Sequence, residues 1–375
     1  MAATMTTRAA VLAATGEELT LEEVELAGPG PNEVRVRIEA SGVCHSDWNA
    51  VSGASATPLP AVLGHEGGGI VEEVGSAVTT VRPGDKVVLS WLPSCGRCPA
   101  CQRGRLSLCE NAAAHIGDGS LPGGGFRLSL RGDRVYHYSY LSTFAGHTVV
   151  HERSCIPLPV STNLDVAALV GCAVMTGIGA VINRAKVEAG STVAVFGAGG
   201  VGLSAIMGAR LAGAGTIIAV EPVESKRRLA LELGATVALD GKDAGLREAI
   251  ADHAPGGLDY AFEAAGLPFL TELAFGLTRR GGTIVAVGVP PDGSTIAFPG
   301  PELVRSEKVV TGTFYGSARP HLDMPMILRL YAEGRLPLDR LVTKRYPLED
   351  VNTAFADMNG GEVARGVLKP WGAKP

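Results

Sequence analysis

The stretch Thr192-Val193-Ala194-Val195-Phe196-Gly197-Ala198-Gly199-Gly200-Val201-Gly202 runs from an uncharged strand straight into a glycine turn. A short apolar run of this kind reads as a strand covered on both faces. The turn fits G-x-G-x-x-G, and residues 202–211 continue as a helix. The glycines serve the tight turn, the close approach of backbone to a pyrophosphate, and helix–strand packing. The start of the helix supplies free N–H groups and positive partial charge to phosphates. Gly197, Gly199, Gly200 and Gly202 are therefore candidate cofactor contacts. Alone the motif is weak, because a glycine turn that binds nothing has the same letters. Here residues 216–220 form a second strand, and Glu221 closes it 24 positions after Gly197. A carboxylate there suits the adenosine ribose hydroxyls of NAD and repels the extra phosphate of NADP.

Beyond the turn the same rhythm continues. A helix over about 223–233 ends at Gly234, strands follow at 258–262 and 283–287, and a helix at about 270–278 lies between them. Strand–helix alternation with strands apolar on both faces predicts a doubly wound α/β Rossmann domain. Before about residue 150 the pattern differs. Short apolar runs at 33–38, 69–74 and 86–89 alternate with turns such as Pro83-Gly84-Asp85, which predicts a β-rich region. Residues 117–125 hold five glycines and a proline and read as a surface loop. Two more helical patterns lie near 324–333 and 348–358.

Composition narrows the class. The 375 residues suggest two domains, and 46% hydrophobic residues allow them large cores. The net charge is -5 and no Lys/Arg run stands out, so nucleic-acid or anionic-membrane partners have no support. The apolar run at 9–14 is followed at once by glutamates, so no signal peptide is expected. Residues 166–183 and 189–209 approach membrane-spanning length, but their glycines and their α/β pattern favour buried core. A cytoplasmic location is expected.

Four of the seven cysteines, Cys95, Cys98, Cys101 and Cys109, lie within fifteen residues. Such a cluster suits a closed tetrahedral zinc site, which is structural because no coordination position is left open. Spacing alone does not exclude an iron–sulfur centre. A second set is dispersed: Cys44, His65, Glu66 and Cys172. Two sulfurs and one nitrogen leave a fourth position for water or substrate, the pattern of a catalytic zinc. Asp47 is placed to accept the second ring N–H of His65. Taken singly these residues read as a buried cysteine, a turn histidine and a surface glutamate. Cys155 reads as an ordinary thiol.

With GVCHSD, GHEGGGIVEEVG, PGDKV, CGRCPAC, GCAVMTG, GAGGVG and VGVPP in place, the chain resembles the zinc-dependent alcohol dehydrogenases of the medium-chain dehydrogenase/reductase superfamily. The likeness runs over about 8–369. It implies a GroES-like catalytic domain over 1–173, a Rossmann NAD-binding domain over 174–315, a C-terminal return over 316–375, and a cleft between the domains. It implies two zinc ions per chain, with Cys44, His65 and Cys172 as catalytic ligands and Glu66 able to approach the metal. Ser46 resembles the hydroxyl that meets the substrate oxygen, with Asp47 behind it. Thr176, Val201 and the backbone of Val287 to Val289 resemble the nicotinamide contacts. Lys226 matches a ribose contact, and His45 and Arg365 match pyrophosphate contacts. Trp91 and Tyr138 match the wall of the substrate pocket. One departure stands out: where many members carry a proton-passing histidine, this chain has Asn49.

The implied reaction moves a hydride between an alcohol, primary or aromatic favoured, and NAD+. Alternatives are oxidation of a glutathione or mycothiol adduct of formaldehyde, reduction of C=N or C=C, and a non-catalytic dinucleotide sensor. The last needs none of the dispersed metal residues. The long glycine-rich loop suggests a homodimer.

Overall fold

The computed structural model describes residues 3–361 and 363–372. Packing divides them into two units. One holds the residues up to Cys172, Arg319–Ala332 and those from Leu338 onward; the other holds Ala173–Ala318 and Glu333–Pro337. The segment Glu333–Pro337 lies in the range that the sequence reading groups with the C-terminal return.

The first unit is built on strands. A closed barrel passes through Met5–Leu12, Thr20–Leu26, Leu128–Leu130, Asp133–His137 and Ala61–Val62. A second sheet has the order Cys155–Leu158, Lys86–Leu89, Gly67–Val74, Glu33–Gly42, Arg365–Lys369 and Val342–Pro347, with His147–His151 also paired to Glu33–Gly42. In Glu33–Gly42 the side chains of Val34, Val36, Ile38 and Ala40 are fully buried. Arg35, Arg37 and Glu39 between them are half-buried, the period of two that sets one strand face inward. The C-terminal strand joins this sheet where Val367 pairs with Gly42 and Leu368 with Ser41. Below it lies a core that includes Leu12, Leu63, Phe144 and Phe355.

The second unit has six parallel strands in the order Val237–Leu239, Thr216–Val220, Thr192–Phe196, Leu258–Glu263, Thr278–Ala286 and Val309–Gly312. Numbered along the unit this is 3-2-1-4-5-6, the doubly wound order. Val193, Ala194, Val195 and Phe196 are fully buried, as expected for a strand covered on both faces. The helix after the glycine turn begins at Gly200. The fifth strand starts at Thr278, five residues before the apolar run that marks it in the sequence; Arg279, Arg280 and Gly281 are exposed and carry no strand signal. The tail patterns are the helices Pro320–Ala332 and Val351–Gly360, the second preceded by the 3-10 turn Leu348–Asp350.

The segment Leu164–Ala185 is long and apolar enough to cross a membrane, yet 89% of its most apolar window is buried inside the protein. Two of its turns are π-helical, Val170–Val174 and Ala180–Ala185. Turns of this kind widen the helix by one residue and are common at functional sites.

Candidate active site

Asp47 organises the first cluster. The helix His45–Ser52 begins at Cys44, whose backbone is extended at φ −128° and ψ 153°. Asp47, the third helical residue, accepts the Cys44 N–H at 3.2 Å and so caps the helix. Its other oxygen accepts the Gly64 N–H at 3.1 Å and lies 2.9 Å from His65 Nδ1. A carboxylate in this setting only accepts, so Nδ1 carries the ring proton. In the neutral ring the lone pair therefore sits on Nε2, which is buried and has no hydrogen-bond partner among the described residues. Burial alone would lower the His65 pKa, but the charge and hydrogen bond of Asp47 outweigh it and push it up.

Ligand atoms of Cys44, His65, Glu66 and Cys172 all lie within 4.8 Å of one another. Cys172 enters from the π-helical turn Val170–Val174. Its thiol hydrogen-bonds Cys44 and, with Arg365, holds the Cys44 pKa well below the ordinary thiol value despite burial. A ready thiolate, a second sulfur and an orphaned imidazole nitrogen suit a zinc ion with bonds of about 2.0–2.3 Å. Glu66 is fully buried, and burial raises its pKa to about 7 against the pull of Arg365. The guanidinium of Arg365 pairs with its carboxylate. A Cβ at Gly42 would stand 1.9 Å from Glu66 Oε2, so this carboxylate needs glycine as its neighbour. Ser46 Oγ is 3.9 Å from Cys44 Sγ. Both His45 and Ser46 are exposed, while Asn49 is half-buried. Tyr138 donates its hydroxyl to the Ser46 carbonyl at 2.7 Å and sets its ring edge-on to His65, 5.8 Å away. Trp91 is buried.

The second cluster lies in one lobe. The sulfurs of Cys95, Cys98, Cys101 and Cys109 also fall within 4.8 Å of one another. Those of Cys98 and Cys109 are 3.9 Å apart. Thiolates at the corners of a zinc tetrahedron with bonds of about 2.3 Å stand about 3.8 Å apart. Backbone N–H groups of Arg97 and Cys98 donate to Cys95 Sγ, and those of Cys95 and Ala112 to Cys109 Sγ, at 3.2–3.4 Å. The Cys101 N–H leads in lowering the Cys98 pKa to about 6. Cys155 is outside both clusters, and burial pushes its thiol far up, which leaves it inert.

In the other unit the glycine turn packs tightly: a Cβ at Gly202 would meet the Gly197 carbonyl at 1.8 Å. Glu221 closes its strand as expected, but its carboxylate is buried and occupied. It accepts the N–H groups of Ala198 at 2.7 Å and Val223 at 3.0 Å. Arg227 reaches back to the carbonyls of Glu221 and Pro222, both at 2.8 Å. Sequence reasoning named Lys226 on the helix Glu224–Leu233 and passed over its neighbour Arg227. Thr176 is buried in the short helix Met175–Gly179. Val287 is buried and Val289 is exposed, both just past the strand Thr278–Ala286. Arg365, read from the sequence as a pyrophosphate contact, lies buried against Glu66.

Comparison with known proteins agrees with this chemistry. Residues 30–160 match the alcohol dehydrogenase GroES-like domain family, and residues 200–333 the zinc-binding dehydrogenase family. The NDMA-dependent alcohol dehydrogenase of Amycolatopsis methanolica is 40% identical over 97% of this chain and 99% of its own. Benzyl alcohol dehydrogenase from Acinetobacter calcoaceticus superimposes with a TM-score of 0.93 at 34% identity, over 97% of this chain and 99% of that one. An alcohol dehydrogenase zinc-binding domain protein from Burkholderia ambifaria gives 0.94 at 38%, over 98% and 99%. A GroES-like unit, a Rossmann unit and a cysteine–histidine metal cluster thus define a zinc-binding oxidoreductase. The chain belongs to the zinc-dependent alcohol dehydrogenases of the medium-chain dehydrogenase/reductase superfamily, and it is a zinc-dependent alcohol oxidoreductase.

Proposed function

We propose that this enzyme oxidises primary or aromatic alcohols to aldehydes, with NAD+ as hydride acceptor. The observation that carries the reading is the buried, partnerless Nε2 of His65 among the sulfurs of Cys44 and Cys172, beside the exposed hydroxyl of Ser46. The names of two relatives, benzyl alcohol dehydrogenase and NDMA-dependent alcohol dehydrogenase, support an alcohol substrate, and the first of them an aromatic one. Bound zinc supplies a Lewis acid that lowers the pKa of an alcohol hydroxyl, and bound NAD+ takes up the hydride.

The chain's own residues do the rest. Cys44, His65 and Cys172 would hold the catalytic metal, and Cys95, Cys98, Cys101 and Cys109 the structural one. Asp47 keeps the proton on His65 Nδ1, so Nε2 stays available. Ser46 Oγ receives the alcohol proton, and exposed His45 or water passes it on, since Asn49 cannot titrate. Oxygen losing a proton and carbon losing a hydride leave an aldehyde. The Gly197 to Gly202 turn holds the pyrophosphate, and Glu221 disfavours the phosphate of NADP. Thr176, Val201, Val287 and Val289 flank the nicotinamide, Lys226 reaches the ribose, and Trp91 and Tyr138 face the substrate. A homodimer in the cytoplasm suits the long glycine-rich loop and seven cysteines that form no disulfide.

The test is an absorbance screen of the zinc-loaded enzyme over primary, aromatic and secondary alcohols. It is run with NAD+, with NADP+ and with NDMA as added acceptor, and over formaldehyde with glutathione or mycothiol. Fastest reduction of NAD+ by a benzylic or primary alcohol supports the reading. Turnover confined to a thiol–formaldehyde adduct, or to NADP+, overturns it.

A further inference from the structure

The residues from Tyr138 to Ser142 form a loop of which the reaction described above uses only the Tyr138 ring, as a wall of the substrate pocket. Its backbone is unusual. Ser139, Tyr140 and Ser142 have φ of 49°, 63° and 52°, the left-handed region that residues with a Cβ avoid. Three such residues among four persist only where the surroundings over-determine the loop. Here they do. The N–H groups of Leu141 and Ser142 donate to the Tyr138 carbonyl at 3.0 and 3.2 Å, and the Tyr138 N–H donates to Ser142 Oγ at 3.0 Å.

The loop is tied at both ends to the chemistry. At one end the Tyr138 hydroxyl donates to the Ser46 carbonyl at 2.7 Å, and its ring stands at 67° to His65. At the other end Tyr140 is fully buried and donates its hydroxyl to the Ala112 carbonyl. Ala112 in turn donates its N–H to Cys109 Sγ at 3.4 Å. Hydrogen bonds from two tyrosines, joined by the short backbone between them, therefore link a sulfur of the tetracysteine lobe to the backbone of Ser46.

We propose that the Tyr138–Ser142 loop is a strut that sets Ser46 and His65 against the tetracysteine lobe, with Tyr138 and Tyr140 as positioning residues. The lobe then does more than fold itself: it is the abutment for the residue that receives the substrate's proton. Tyr138 acts by holding the helix start in place, since its hydroxyl is spent on a backbone carbonyl. The strut rests on the proposed role of Ser46.

The test uses the zinc-loaded enzyme and the variants Tyr138→Phe, Tyr140→Phe, Ser46→Ala and the double variant of residues 46 and 138. Single-turnover hydride transfer, KM for alcohol, zinc per chain and the visible spectrum of the cobalt-exchanged protein are measured. Expected for Tyr138→Phe, which keeps the ring that faces the substrate and loses only the hydroxyl held by the Ser46 carbonyl, is a roughly tenfold slower hydride step with KM within about twofold, zinc content unchanged and the cobalt band shifted. Tyr140→Phe gives a smaller loss in the same direction. In the double variant the loss of Tyr138 adds little to the loss of Ser46. A hydride step within twofold of the parent in both tyrosine variants, or fully additive losses in the double variant, overturns the strut. A fully active Ser46→Ala enzyme instead removes the proton-relay reading, while the cobalt spectra still report whether Tyr138 positions His65.

Discussion

Arg365 and Glu66 form a buried ion pair across 299 positions of sequence, and Glu66 shares a cluster with Cys44, His65 and Cys172. Their side chains are 6% and 0% exposed, so neither charge has water to fall back on. Removing one partner of such a pair leaves an uncompensated buried charge, which costs about 3–5 kcal/mol. Arg365→Met is expected to lose that much stability in urea unfolding of the zinc-loaded protein. Adding Glu66→Gln is expected to restore a large part of it. Equal losses in the single and double variants would show that the two charges do not depend on each other.

Asp165 ties the helix Leu164–Leu169 to the C-terminal strands. It accepts from Lys369 at 2.6 Å and from Arg345 at 2.7 Å. Burial alone would raise its pKa, but these hydrogen bonds and charges outweigh burial and lower it. A carboxylate with a depressed folded pKa contributes stability that is present above its unfolded value near 3.9 and lost as pH falls through the folded one. Arg345 is 46% exposed, which screens its share. Asp165→Asn is expected to cost about 1 kcal/mol at pH 7 and almost nothing near pH 2. A gap that stays constant over that range would refute the linkage.

His137 behaves in the opposite sense. Burial, aided by Arg127, pushes its pKa down to about 3, so the ring is neutral in the folded protein. Nε2 accepts the Arg127 N–H at 3.2 Å. The unfolded chain binds a proton here from about pH 6.5 downward and the folded one does not, so stability drains away as pH falls. This one site accounts for roughly 3 kcal/mol between pH 7 and pH 4. His137→Asn keeps an acceptor but cannot titrate. Its unfolding free energy is expected to fall less steeply over that interval than the parent's, as followed by denaturant titration at each pH.

Ser46 carries the proton in the proposed reaction. Its replacement by alanine is expected to slow turnover by roughly 10²–10⁴-fold at unchanged zinc content. Parent-like turnover at every pH measured would take Ser46 out of the scheme.

The sequence displays what is local. The tetracysteine spacing lies within one lobe, and the glycine turn carries its own strand, helix and acid. Cys44, His65 and Cys172 are scattered, and only the family motifs around them single them out. Nothing in the letters marks Arg365 as the partner of Glu66 or Tyr138 as the partner of Ser46. A contact between distant side chains leaves no periodicity behind. Glu221 was legible by position, but its engagement with Ala198 and Val223 depends on how the turn closes. The start of the strand Thr278–Ala286 was hidden because Arg279 and Arg280 read as loop. The π-helical turns were hidden because one extra residue does not alter an apolar run that has no polar face to shift.

That extra residue has a consequence for how this enzyme can change over evolutionary time. Each residue along a helix turns the next by about 100°. Cys172 lies in the widened turn Val170–Val174, and from there its sulfur comes within 4.8 Å of a His65 ring nitrogen. Deleting one residue upstream, between Leu164 and Cys172, would make the helix more regular and swing the sulfur away from its partners. A change of length in this buried span therefore puts a metal ligand at stake, which a change in an exposed turn such as Gly123-Gly124 does not.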